Sequence, residues 1–562
     1  MHKITLRNKK RNVLLLLLLI LIFPIIKITA QSVTTPQVDF SQRSSTATPE
    51  KKIYNIKGDF TLLGNTNLTL LSYGDKKNNE GNEMIYVDID EESTTLNSSM
   101  ATLELSNAGE NDTNQSCSKV LFAGLYWTGK SDDTKEIFSV TKNSVTKTYN
   151  KNRVSLKGPG AINYTEITAT TNSNTTAIRF PGVAQSGIFV GYQEVTDYVK
   201  LHGPGKYTVA DIALKEGTNS NPGYSGGWVM IVIYENPAMK PRAVTLFDGY
   251  AYVNGQKANG GEYGNIPISG FTTVGSGPVN MKLGVMAAEG DVGTASGRTD
   301  YLSVLKLNSH SNSYPGNYQI LNHTGNLTGN FFNSSIFPKP VTGMSNPILN
   351  NNTGVDFSMF TIPNPGNSVI DNNQTSTNFR FGSNYDVYTI FGFAMSVDAY
   401  IPEPQGIIKI NSIGGTASPS PLVASPGDDI EYQIDIRNRG SESTKNSIIT
   451  IPIPFSTLYT IESIVTTIID NSFLPTNTPV FDSNSNSIIW NIGNIPLANP
   501  NTLLASLVFK VKLTTDCATL FNAGCNSNIS LTGTISGAGA VSNNPFTIPI
   551  SQGIDPNSSC GG

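Results

Sequence analysis

Ile430-Glu431-Tyr432-Gln433-Ile434-Asp435-Ile436-Arg437 is the stretch that decides the fold. Four apolar residues alternate with four polar ones, and a period of two puts Ile430, Tyr432, Ile434 and Ile436 on one face of an extended strand. Leu507, Phe509, Val511 and Leu513 interleave in the same way with Val508, Lys510, Lys512 and Thr514. Each run reads as a half-buried strand of a two-sheet sandwich. Trp490, within Ile488-Ile489-Trp490-Asn491-Ile492-Gly493, is expected in the core between them.

Strand-like runs also recur N-terminally. Val120 to Trp127 is one, and Trp228-Val229-Met230-Ile231-Val232-Ile233-Tyr234 is another, apolar on both faces and so expected at the centre of a sheet. Val244 to Val253 contains Asp248-Gly249, and Asn254-Gly255 and Asn259-Gly260 follow closely, a hairpin signal. Helical periodicity is nearly absent. Its best instance is Glu194 to Leu201, closed by Gly203 and Pro204 and followed by a strand from Tyr207 to Leu214, as in jelly-roll sandwiches.

Composition agrees. Charged residues make up 14% of the chain, against roughly 25% in ordinary globular domains. Asn, Ser, Thr and Gly fill the difference, and they suit turns and exposed strand faces better than helix interiors. The expected fold is all-β: a large N-terminal, jelly-roll-like β-sandwich region followed by an immunoglobulin-like β-sandwich.

The first thirty residues set the compartment. Lys3, Arg7, Lys9, Lys10 and Arg11 precede an apolar run, Val13 to Phe23, and a short segment ending at Ala30. This is the layout of a secretory signal peptide cleaved after Ala30. A membrane-spanning helix needs about 20 apolar residues, and Pro24 and Lys27 end the run before that. Without the six basic groups of residues 1–30, the chain has 38 − 6 = 32 basic against 42 acidic groups, a formal charge near −10. That balance fits neither nucleic acid nor an anionic membrane surface, so no nucleic acid and no membrane insertion after cleavage are expected. The organisation reads as signal peptide (1–30), flexible leader (31–53), sandwich region of one or two jelly rolls (54–400), linker (401–406), immunoglobulin-like domain (407–550) and C-terminal tail (551–562).

Four cysteines, Cys117, Cys517, Cys525 and Cys560, are available to an exported chain. They allow three connectivities, and the close pair Cys517–Cys525 is the expected disulfide.

Residues 407–515 resemble the immunoglobulin-like repeat of the domain of unknown function eleven family, found in large bacterial surface proteins. The resemblance rests on Ser425-Pro426-Gly427-Asp428-Asp429-Ile430-Glu431-Tyr432, Ile436-Arg437-Asn438-Arg439-Gly440 and Trp490-Asn491-Ile492-Gly493. The family's usual Thr-Asp before its Leu-Pro turn is replaced here by Ile449-Thr450-Ile451-Pro452. The preceding region, with Phe122-Ala123-Gly124-Leu125-Tyr126-Trp127, Tyr207-Thr208-Val209-Ala210-Asp211 and Gly226-Gly227-Trp228, is similar to the N-terminal module of large secreted proteins of Bacteroidota. Such proteins often end in a sorting domain. None is read in the residues up to Gly562, which leaves free secretion and surface attachment both open.

Few residues offer chemistry. Gly223-Tyr224-Ser225-Gly226-Gly227 matches G-x-S-x-G, but a nucleophile elbow needs a strand before the serine and a helix after it. The sequence around Ser225 reads instead as a turn entering a strand, with positive φ considered for Gly226 and Gly227. Beyond the leader only His202, His310 and His323 remain, too sparse for a triad or a zinc site. Asp88, Asp90, Glu91 and Glu92 form one acidic group, and Glu289, Asp291 and Asp300 another around Gly-rich turns. Oxygen ligands suit Ca²⁺, so Glu289, Asp291 and Asp300 are the candidate calcium ligands, against the competing reading of solvated turn acids. No other cofactor is implied. Trp127, Tyr126 and Trp228 read either as core or as a sugar-binding platform. The expected function is a non-enzymatic secreted or cell-surface structural, adhesin-like protein that binds an extracellular protein or glycan through loops. The alternative is a carbohydrate-active protein, either a sugar-binding module or a glycoside hydrolase using two carboxylates.

Overall fold

The computed structural model describes residues 31–552 apart from 91, 106–114, 132–134, 143, 171–186, 221, 257–260, 293–299, 307–315, 327–328, 418, 500–501 and 523–527. The segment read as a signal peptide, residues 1–30, lies outside the described residues. The chain is all-β, and the α-helices among the described residues are Thr196–His202 and Cys517–Asn522. None there is long and apolar enough to cross a membrane.

Residues 54–398 form two sandwiches sharing one large sheet. In the first, the strands Ile188–Glu194, Lys119–Lys130, Ser225–Glu235 and Tyr54–Thr66 make the inner layer, in that order. Thr165–Thr168, Arg153–Lys157, Gly205–Ala210 and Ser98–Leu103 make the outer layer. In the second, the inner layer is Pro241–Asn254, Val387–Asp398, Met281–Ala288 and Val355–Thr361, facing Glu262–Ser269, Ser376–Ser383 and Asp300–Leu305. Pro241–Val244 pairs antiparallel with Tyr54–Lys57, which joins both inner layers into a ten-stranded sheet.

This junction explains why Trp228–Tyr234 is apolar on both faces. Trp228, Met230 and Val232 enter the core of the first sandwich, with Leu125, Trp127 and Val209. Val229, Ile231 and Ile233 enter a separate core between the sandwiches, with Tyr126, Tyr250 and Phe391. The second sandwich has its own core, including Leu283, Leu302, Phe379 and Phe393. The strand is buried from both sides because its sheet is the middle layer of a stack.

Three local expectations are corrected by tertiary contacts. The leader is ordered in part: Ser32–Thr34 adds a parallel strand beside Glu262–Gly264, and Val38–Gln42 pairs with the strand Pro241–Asn254. Asp248-Gly249 is no turn; it is a bulge inside that continuous strand, and Asp248 is fully buried. The strand after Asn254-Gly255, Glu262–Ser269, pairs with Ser376–Ser383 in the opposite layer, so the turn connects two layers instead of closing a hairpin.

The C-terminal module is a third sandwich. Asp429–Asn438 lies between Pro404–Ile413 and Ala505–Leu513, with Thr444–Pro452 and Ser487–Gly493 in the facing sheet. Ile430, Tyr432, Ile434, Ile436, Leu507, Phe509, Val511 and Trp490 all enter one core, as the alternation requires. Pro404 and Gly406, expected in a linker, already belong to its first strand. Ser551–Gln552, expected in a tail, pairs in parallel with Ile407–Ile408.

The expected Cys517–Cys525 disulfide is not formed. Cys517 stands exposed with a free thiol at the start of the helix Cys517–Asn522. Cys117 is buried and disulfide-bonded, and no cysteine pair is joined among the described residues. Cys525 and Cys560 lie outside the described residues.

Candidate functional site

At one end of the second sandwich several strand ends converge. Glu289 and Asp291 follow the strand Met281–Ala288, Asp300 opens Asp300–Leu305, Asp356 is the second residue of Val355–Thr361, and Asp386 precedes Val387–Asp398. Antiparallel pairing brings these ends together: Ala288 faces both Val355 and Thr389. The backbone is tightly tied, with Glu289 N–H donating to Gly354 O at 2.7 Å and Gly354 N–H to Ser334 Oγ at 2.8 Å. The Ser334 hydroxyl in turn donates to Gly290 O at 2.5 Å.

All five carboxyl groups are buried, the most exposed being Asp291 at 7%. Burial disfavours the charged form, and neighbouring carboxylates add to that. Glu289 is held well above the ordinary carboxylate range by burial and then by the charge of Asp291, although Asn79 donates to it and Lys130 attracts it. Asp386 is pushed up by burial and then by Asp291, Glu289 and Asp300. Asp300 is raised to about 7 by burial, against the opposing amides of Phe332 and Phe331. Asp356 is raised to about 8 by burial and the Asp300 charge, although the backbone N–H groups of Asn333, Ser334 and Ser335 favour its ionised form. Such a cluster must hold protons or a cation near neutral pH.

The three acids singled out in the sequence, Glu289, Asp291 and Asp300, are thus brought into one buried neighbourhood. They are not solvated turn acids. Among the described residues no three His, Cys, Asp or Glu side chains converge as a metal cage. Asp356 and Asp386 were missed. Asp356 stands in Val355-Asp356-Phe357-Ser358, where alternation alone assigns it to a wet face. Asp88 and Asp90 are absorbed locally, the first accepting from Ser98 Oγ and the second from Thr95 Oγ1 and Glu92 N–H. Glu91 lies outside the described residues.

Ser225 opens the strand Ser225–Glu235 and is 2% exposed. The described histidines are committed elsewhere, His202 Nδ1 to Pro159 O at 2.9 Å and His323 Nδ1 to Gly325 N–H at 3.0 Å; His310 lies outside the described residues. Gly226 and Gly227 are strand residues, not positive-φ turn residues. Their need for glycine is steric, because a Cβ on Gly227 would lie 2.2 Å from Asn65 O. Trp127, Tyr126 and Trp228 are fully buried and so are core, not a sugar platform. Their polar atoms are satisfied inside: Trp228 Nε1 donates to Ser99 Oγ and Trp127 Nε1 to Lys151 O, both at 2.9 Å.

Two surface features remain. A cleft of about 420 Å³ on the first sandwich is lined by Thr46, Glu166, Gln193, Glu194, Asp197 and Tyr198, among others. Glu194 accepts from Ser45 Oγ, Thr46 N–H, Thr46 Oγ1 and Thr196 Oγ1. These donors outweigh its partial burial and hold its carboxyl below the ordinary range. On the C-terminal module, edge strands and loops display apolar side chains to water: Phe455 (74% exposed), Leu458 (65%), Ile461 (82%), Val465 (57%) and Leu474 (77%).

No protein-family model and no curated protein sequence matches the chain. Among solved structures, the N-terminal domain of a Streptococcus gordonii adhesin is similar at 9% identity and TM-score 0.21, with 94% of this chain and 97% of that one covered. A putative membrane anchored protein from Corynebacterium diphtheriae is similar at 8% identity and TM-score 0.17, covering 90% and 98%. N-glycanase F is similar at 11% identity and TM-score 0.15, covering 61% and 96%. At these TM-scores the likenesses carry no argument about fold or function.

Proposed function

We propose that the chain is a non-enzymatic secreted or cell-surface β-sandwich protein that binds an extracellular protein or glycan through the C-terminal module. The observation that carries this reading is the exposure of Phe455, Leu458, Ile461, Val465 and Leu474, all within residues 455–474 of the C-terminal module and outside its buried core. Apolar side chains concentrated on edges and loops of a rigid sandwich are the usual mark of a contact surface. The resemblance of residues 407–515 to repeats of bacterial surface proteins supports the same reading, as does the segment 1–30 read as a signal peptide. The test is an array of glycans and extracellular matrix proteins probed with the chain from Gln31 onward. Phe455→Asp and Ile461→Asp should each lower binding at least about tenfold, the loss of one buried apolar anchor, with an unchanged melting temperature. Binding that survives both changes would overturn the assignment.

A carbohydrate-active protein is the second reading, favoured by the cleft with Glu166, Glu194 and Asp197. Its general acid would need a carboxyl raised toward neutral pH. Glu194 has the opposite character, ionised and saturated by hydroxyl and amide donors. The cleft therefore fits a polar recognition groove better than a hydrolytic centre.

A further inference from the structure

We propose that the second sandwich holds a hard divalent cation, calcium by its chemistry, between Asp356 and Asp300 with Asn333 and Ser335 as neutral oxygen ligands. Three oxygens in this small region, Asp356 Oδ2, Asn333 Oδ1 and Ser335 Oγ, are buried without any hydrogen-bond partner. Asp356 itself is 3% exposed. The stretch 333–335 is fixed against it: the backbone amides of Asn333, Ser334 and Ser335 face the Asp356 carboxylate, and Phe357 N–H donates to Ser335 O at 3.1 Å.

Asp300 lies close enough to repel Asp356, and its Oδ1 is held by Phe332 N–H at 2.9 Å. The carboxylates of Asp356 and Asp300, one amide oxygen and one hydroxyl form an oxygen-rich set, with lone pairs unused on Asp356 Oδ2, Asn333 Oδ1 and Ser335 Oγ. The nearby donors are backbone amides already directed at Asp356 and Asp300, so a bound cation satisfies what hydrogen bonding leaves open. Calcium accepts six to eight such oxygens in flexible geometry, whereas magnesium demands a near-ideal octahedron.

The test uses the chain from Gln31 onward, with thermal unfolding in chelator, in calcium at about 1–5 mM and in magnesium at the same concentration, at or above the dissociation constants of about 0.1–1 mM of extracellular calcium modules. Terbium luminescence sensitised by neighbouring aromatic rings, with calcium as competitor, gives affinity directly. Calcium should raise the melting temperature and displace terbium, and magnesium should do neither. Asp356→Asn removes the repulsion with Asp300, so it should melt higher than the parent chain in chelator yet lose the calcium response. Ser335→Ala, which deletes only one hydroxyl, should weaken calcium affinity at least tenfold and carries the test if Asp356→Asn does not fold. Cys517→Ser, in the other module, should respond as the parent does. No calcium-dependent shift in the parent chain would overturn the proposal, as would a parental response in both Asp356→Asn and Ser335→Ala.

Discussion

Arg43→Met tests whether the ordered leader locks the two N-terminal sandwiches together. Arg43 Nε donates to Asp248 Oδ2 at 2.6 Å and its second amino group to Asp248 Oδ1 at 2.9 Å. The guanidinium also lies 4.1 Å from the centre of the Tyr192 ring. Asp248 is 0% exposed, and its other partner is the Tyr126 hydroxyl at 2.8 Å. Methionine keeps much of the side-chain volume but leaves a buried carboxylate with one neutral donor. Removing one partner of a buried pair costs about 3–5 kcal/mol, because the remaining charge is uncompensated. With an unfolding entropy of about 2.1 cal/mol/K per residue, a cooperative unit of about 370 residues would melt roughly 4–6 °C lower.

The pH dependence gives a second handle. Burial already raises the Asp248 carboxyl, and Arg43 opposes that rise. Without Arg43 the folded-state value climbs further above the unfolded one. The variant is then penalised above the unfolded pKa and relieved as pH falls toward it. Its deficit relative to the parent chain should shrink between pH 8 and pH 4. Arg43→Met/Asp248→Asn should recover part of the loss at neutral pH. A loss below about 1 kcal/mol for Arg43→Met, or a double variant less stable than the single one, would refute the buried-charge argument.

His323 sits against Phe337 with ring centres 4.1 Å apart, and burial lowers its pKa to about 4. The unfolded imidazole takes up its proton near 6.5, so stability should rise with pH between about 4 and 6.5; thermal melts of His323→Phe should lack that slope. Gly227→Val should cost about 3 kcal/mol or more by overpacking, since the new Cβ meets backbone, Asn65 O at 2.2 Å and Thr66 Cα at 2.8 Å; denaturant titration against Ser225→Ala, which should stay within about 1 kcal/mol of the parent, checks it. Native maleimide labelling should fall by one thiol per chain in Cys517→Ser, because Cys517 is free and exposed; an unchanged labelling stoichiometry in that variant would contradict the assignment.

The sequence by itself determined whatever depends on neighbours within a strand or turn. The alternation at Ile430–Ile436 placed its apolar residues in one core. The two-faced run Trp228–Tyr234 placed its strand inside a sheet. The turn signals at Gly203 and Pro204 ended the helix Thr196–His202. Side-chain periodicity is a local property, so it is legible without the rest of the chain. Tertiary structure alone decided which residues meet across long separations. Asp248-Gly249 carries the local signature of a turn, yet Arg43, 205 residues away, makes a buried charge tolerable there and the strand continues. Asp356 and Asp300 belong to strands of opposite layers, and only sandwich closure brings the Asp300 charge within reach of the buried Asp356 carboxyl. The leader looked polar and aperiodic, and it became ordered because Val38–Gln42 found an open strand edge and Phe40 a partner in Phe393, 5.4 Å between ring centres. Burial of a charge is a property of everything packed around it, and no window of sequence contains that information.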